Sequence, residues 1–144
     1  MTRVAYKGIA DAKPPQAVPA GKYQLRIMHA EGSVPSKTSN AKMTQTRCEI
    51  MGQPQAAQVF TNLVEPTVED EYLSDNSGKT HEDWLKAEEF KALQAKTFCD
   101  KFSIEYDTDG YETEDFLGSV GDVWLDVEPH YQTGLPQNVM NLFK

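Results

Sequence analysis

Residue types able to do chemistry are plentiful in this 144-residue chain, so spacing has to decide which of them work together. Gly78-Lys79-Thr80 has the ending of a phosphate-binding loop, but that motif needs a glycine five residues earlier, where Leu73 stands. Glu105, Asp107, Asp109 and Gly110 have the spacing that opens a calcium-binding loop. Position twelve of such a loop needs a bidentate carboxylate and is Phe116 here, and Glu112 stands where an apolar residue is usual. The stretch 105–116 therefore reads as an acidic, solvated turn, with divalent-ion binding left open. His29, His81 and His130 are far apart and have neither paired cysteines nor HExxH spacing, so no zinc site is expected. No serine occupies a GxSxG elbow, and the carboxylates are too scattered to be read as an acid–base pair. The expectation is a protein that is not an enzyme, with no catalytic residue, no metal and no cofactor. Cys48 and Cys99 occupy apolar pattern positions and form no CxxC, which reads as two buried thiols of a reducing compartment.

What remains is a set of cations and rings. Net charge is −8, but its distribution is uneven. Residues 1–48 carry eight Lys and Arg against two acids, a net +6, whereas residues 49–144 carry six against twenty, a net −14. Arg26, Lys37, Lys42 and Arg47 in the basic part are candidates for meeting phosphates, which dominate the affinity of nucleic-acid binders. Phe60, Trp124 and Tyr131 are the candidate rings on which bases could stack. Phe60 reads more readily as a core residue of a strand than as a platform, and each of the four cations reads also as part of a solvated charged face.

The elements that must position these side chains follow from hydrophobic period. Residues 1–20, with Pro14, Pro15 and Pro19, favour an extended arm, and residues 21–144 form one domain. Tyr23, Leu25 and Ile27 alternate with Lys22, Gln24 and Arg26 as a first half-buried strand. Glu31 to Lys42 lacks periodicity and reads as a long loop. A second strand, Met43 to Met51, puts Thr44, Thr46, Cys48 and Ile50 on one face and Gln45, Arg47 and Glu49 on the other. A third runs Ala57 to Val64 and stops before Pro66. Glu65 to Gly78 reads as irregular. Thr80 and Asp83 have capping-box spacing for one helix over about 81–102, with Leu85, Ala92, Ala95, Cys99 and Phe102 on its apolar face. Val123, Leu125 and Val127 alternate with Trp124, Asp126 and Glu128 as strand four, so Trp124 should point outward and be covered by something. After the loop His130 to Gln137, Asn138 to Phe143 is strand five. The expected fold is mainly β with one helix, a five-stranded OB-fold barrel with the helix between strands three and four; a plain antiparallel α+β sheet has the same string. No apolar stretch follows Arg3 and Lys7, so neither a signal peptide nor a membrane span is expected, and the location expected is cytoplasmic.

The segments Pro19-Ala-Gly-Lys-Tyr23, Thr38-Ser-Asn-Ala-Lys-Met43, Phe60-Thr-Asn-Leu63, Phe116-Leu-Gly-Ser119 and Asn138-Val-Met-Asn-Leu-Phe143 span most of residues 19–143. In these the chain resembles a family of small bacteriophage proteins, encoded among replication and recombination genes and regarded as single-stranded DNA-binding proteins. The loop Glu65 to Gly78 is longer than that pattern. The resemblance implies sequence-independent binding of single-stranded DNA during phage replication or recombination, in the host cytoplasm, with replication or recombination proteins as further partners. It does not identify the contacting residues. A non-enzymatic structural or protein-interaction module on the same scaffold is the alternative. A homodimer is the oligomer expected.

Overall fold

The computed structural model describes residues 1–144. Its strands are β1 (Gly21–Pro35), β2 (Lys42–Ile50), β3 (Val59–Val64), β4 (Tyr106–Asp107), β5 (Gly110–Tyr111), β6 (Val120–Pro129) and β7 (Pro136–Asn141). Two helices, α1 (Glu69–Asp75) and α2 (His81–Lys101), lie in the chain between β3 and β4. Along β2 the side chains alternate as a pleated strand requires: Thr44, Thr46, Cys48 and Ile50 are buried, while Met43, Gln45, Arg47 and Glu49 stand half-buried on the other face. The five long strands pair antiparallel in the order β3–β2–β1–β6–β7. The sheet curls into a half-barrel whose edges approach each other, with the Thr61 hydroxyl 3.8 Å from the Met140 sulfur. No helix is long and apolar enough to cross a membrane.

The concave side holds Leu25, Ile27, Cys48, Val59, Leu63, Val123 and Leu125, all buried. Phe98 and Cys99 in the last turns of α2, and Phe102 just after it, fill it from one end. Phe98 lies 4.7 Å from Phe102 and 5.6 Å from Phe116, ring centre to ring centre. Helix and sheet approach so closely that a β-carbon at Gly121 of β6 would lie 2.3 Å from the Lys101 carbonyl oxygen, so only glycine fits there. At the other end of α2 both capping-box bonds form, Asp83 N–H to the Thr80 hydroxyl and Thr80 N–H to the Asp83 carboxylate. The Thr80 N–H and hydroxyl both donate to the Asp83 carboxylate and hold that carboxyl below its ordinary range.

Several expected boundaries move. The chain has two helices where one is expected; α1 occupies the stretch read as irregular, and Glu69, Asp70 and Glu71 in its first turn suit the positive end of a helix. The long loop expected from Glu31 shrinks to residues 36–41, because β1 continues to Pro35 by pairing Glu31 with Gln45, Val34 with Met43 and Pro35 with Lys42. Two bulges, between Ile27 and His29 and between Glu31 and Val34, break the period and hide this continuation. At the second, Ser33 takes a left-handed conformation (φ 55°), held because the Glu65 carboxylate accepts its N–H at 2.6 Å and its hydroxyl at 2.8 Å. β4 and β5 form a small hairpin in the acidic stretch after α2. β6 begins at Val120, and β7 runs Pro136–Asn141 in place of Asn138 to Phe143. On α2, Leu85 and Ala92 are exposed, contrary to the expected apolar face; the helix's N-terminal half is held by polar contacts, with the Trp84 indole N–H donating to the Thr67 carbonyl at 2.8 Å.

Candidate nucleic-acid interface

The outward face of the sheet carries most of the candidate side chains, and register decides which of them meet. Arg47 on β2 sits opposite Phe60 on β3 and opposite His29 on β1, so these three form one row across the sheet. Phe60 is 71 % exposed. The core reading of that phenylalanine is therefore corrected: Val59 and Leu63 take the inward positions of β3, and the pleat turns Phe60 out. The Arg47 side chain makes no ion pair and no hydrogen bond, and its Nε is buried without a partner. His29 lies 4.0 Å from the Glu31 carboxylate. Gln45 and Asn62, paired across β2 and β3, form the next row.

The remaining cations are dispersed. Arg26 faces outward, but its guanidinium is paired with the Glu49 carboxylate on the neighbouring strand. Its charge is neutralised where it stands. Lys42 opens β2 at an exposed position of even-numbered register, about 17 Å along the strand from Arg47 by strand rise. Its charge acts on Glu65: burial raises that carboxyl, but hydrogen bonds from Ser33 and Thr44 and the charge of Lys42 outweigh burial and hold it low. Lys37 is exposed in the 36–41 loop. That loop is fixed by Asn40, whose N–H and side-chain amide both donate to Asp75 at the end of α1, at 2.9 and 3.1 Å. The four cations thus do not converge on one point; Arg47 alone adjoins an exposed ring.

Tyr131, in the loop between β6 and β7, is 86 % exposed and stacks on His130 with ring centres 4.9 Å apart. Antiparallel pairing puts this loop at the same end of the sheet as the β2–β3 turn, and the arm ties the two together. Gln16 donates to the Gln55 carbonyl and accepts from Ala57, while Val18 exchanges two hydrogen bonds with the Asn138 side chain at the start of β7. Residues 16–18 are thus part of the fold, and the free arm is shorter than the twenty residues expected. Trp124 points outward on β6 as its alternation requires, and its cover is internal. The Lys144 ammonium lies 4.3 Å from the ring centre, and the indole N–H donates to Asp126 at 2.8 Å. Asp126 also accepts from Asn141, and these bonds hold its carboxyl low.

His29, Gln45 and Asn62 escaped the sequence reading. For Gln45 the outward position on β2 was the available signal; for His29 the bulge at Met28 shifts the strand's period and conceals it.

On the opposite side of the molecule an open cleft of about 720 Å³ lies between α2 and the β4–β5 hairpin, with Glu65, Glu88, Lys91, Asp109 and Tyr111 among its walls. Lys91 bridges Glu88 and Thr67 at 3.0 and 3.2 Å. The Asp107 carboxylate is taken up by the N–H groups of Asp109 and Gly110, and no three of the chain's His, Cys, Asp and Glu side chains gather as a metal site would need. Burial pushes the thiols up, Cys48 to about 12 and Cys99 to about 11, so neither is a thiolate at neutral pH. The chain matches no protein-family model and no curated protein.

Proposed function

We propose that the protein binds single-stranded DNA with little sequence preference, across the outer face of β2 and β3. One observation carries the reading: an exposed phenylalanine stands directly beside an arginine that has no partner of its own. A flat ring for a base and a free cation for the adjoining phosphate are what sequence-tolerant single-strand binding uses. The strand order, the approach of β3 to β7 and the position of α2 between β3 and β6 in the chain support reading the half-barrel as an OB fold. In that fold the second and third strands and the flanking loops are the usual binding surface. Tyr131 adds a second ring at the end of the sheet where the β2–β3 turn lies, and Lys37 adds charge in the loop at the other end, whereas Lys42 belongs to the opposite face of β2 from Arg47. The resemblance to phage single-strand binders, over segments spread along the chain, supports the same reading and a place in phage replication or recombination.

Titration of a labelled oligo-dT at low salt, read by fluorescence anisotropy, tests it. Saturable binding that weakens on adding salt is expected; absence of binding at low salt overturns the proposal. A second reading, a structural or protein-interaction module, is favoured by the apolar patch of Phe90, Leu93 and Phe143, all exposed, with the two phenylalanine rings 5.9 Å apart. Sedimentation separates the two readings. Stable assembly without DNA, indifferent to added oligonucleotide, supports the second.

A further inference from the structure

Residues 1–15 are exposed throughout. They carry Arg3, Lys7 and Lys13 against the single acid Asp11, a net +2, while the other 129 residues carry net −10. None of the three cations is in an ion pair. Val4, Tyr6 and Ile9 are about two-thirds exposed, so the segment offers a ring and apolar side chains as well as charge. Pro14 and Pro15 stand immediately before the anchored Gln16, and a proline pair makes a stiff, extended stem. Gln16 forms a parallel bridge with Ala56, four residues before Phe60 and so roughly 13 Å from it along the chain direction of β3, and the arm reaches that ring by folding back from the bridge. Ile9–Asp11 form a single 3-10 turn after Gly8, and with the other twelve residues extended the segment reaches about 45 Å, enough to cross the outer face of β2 and β3.

We propose that this arm is a second DNA-binding element, a basic strap that closes over a single strand lying on the Phe60–Arg47 face and holds its phosphates through Arg3, Lys7 and Lys13. The inference rests on the reading of that face as the DNA site. It resolves an electrostatic difficulty: a body of net −10 repels a polyanion, and the arm supplies cations that its own surface leaves unpaired. Tyr6 is the ring of the arm available to stack on a base.

The test is the salt dependence of oligo-dT affinity for the full-length chain and for the triple variant Arg3→Gln, Lys7→Gln, Lys13→Gln. Each phosphate contact on a single strand contributes roughly 0.7 to the slope of log affinity against log salt, so the variant's slope is expected to fall by about 2. Its melting temperature is expected to be unchanged, because the three residues pack on nothing. The comparison variant Phe60→Ala is expected to lose affinity while keeping the slope. A triple variant with an unchanged slope overturns the strap and leaves the face proposal standing. Loss of self-association with an unchanged slope also overturns it, assigning the arm to a second copy of the chain. A wild-type chain that does not bind overturns both.

Discussion

Two outward-facing rings on one sheet, Phe60 on β3 and Trp124 on β6, have opposite fates. Trp124 is satisfied within the chain: Asp126 accepts its N–H, Lys144 lies over its face, and Asn141 holds Asp126 in place. Phe60 has no such cover and stands beside an arginine with no partner. The same division runs through the charges, since Arg26 is neutralised by Glu49 and Arg47 is not. An aromatic side chain on the outside of a strand is therefore not in itself a binding site. What marks β2 and β3 is that the chain leaves both ring and cation unspent there.

Five substitutions test this contrast, from the largest expected effect to the smallest. Phe60→Ala should weaken oligo-dT binding by roughly 5- to 150-fold, the loss of one base stack of about 1–3 kcal/mol, with the melting temperature unchanged. Trp124→Ala should do the reverse, lowering the melting temperature with affinity intact; a DNA defect in Trp124→Ala alone would invert the assignment. At the closed end of the sheet, Gly121→Ala forces β6 and the end of α2 apart and should cost about 1–3 kcal/mol in denaturant unfolding. If that end is scaffold, affinity measured well below the melting point stays the same.

Glu65 gives a pH test. Its carboxyl titrates lower in the folded chain than in the unfolded one, so the unfolded state binds the proton first as pH falls. The stability it contributes is complete above its unfolded pKa of about 4.3 and is lost as pH drops through the lower folded value. Glu65→Gln should therefore be less stable at neutral pH and lose less on acidification, with thermal melts at several pH values as the measurement. The smallest effect belongs to Glu49→Gln, which frees Arg26. It should steepen the salt dependence of DNA affinity by roughly 0.7, one added phosphate contact.

Much of the framework was legible because it depends on neighbours in sequence. The alternation of Thr44, Thr46, Cys48 and Ile50 places β2's inner face correctly, and Thr80 with Asp83 marks the start of α2. The extent of β1 was not legible, since its two bulges break the period and its last residues are strand only through pairing with β2. α1 was missed for a related reason. Seven residues with no side-chain cap and no buried residue carry little local signal.

For the candidate interface, sequence alone determined that Arg47 and Trp124 face outward, because a strand's pleat has period two and needs no partner to define it. Only the tertiary structure decided that Arg26 is spent on Glu49, that Trp124 is covered by Lys144 and that Phe60 stays largely exposed. Those outcomes depend on which residues β-register and the chain end bring within a few ångströms, across separations of 20 residues or more in sequence. Charge and exposure are properties of the neighbourhood, and the neighbourhood is made by folding.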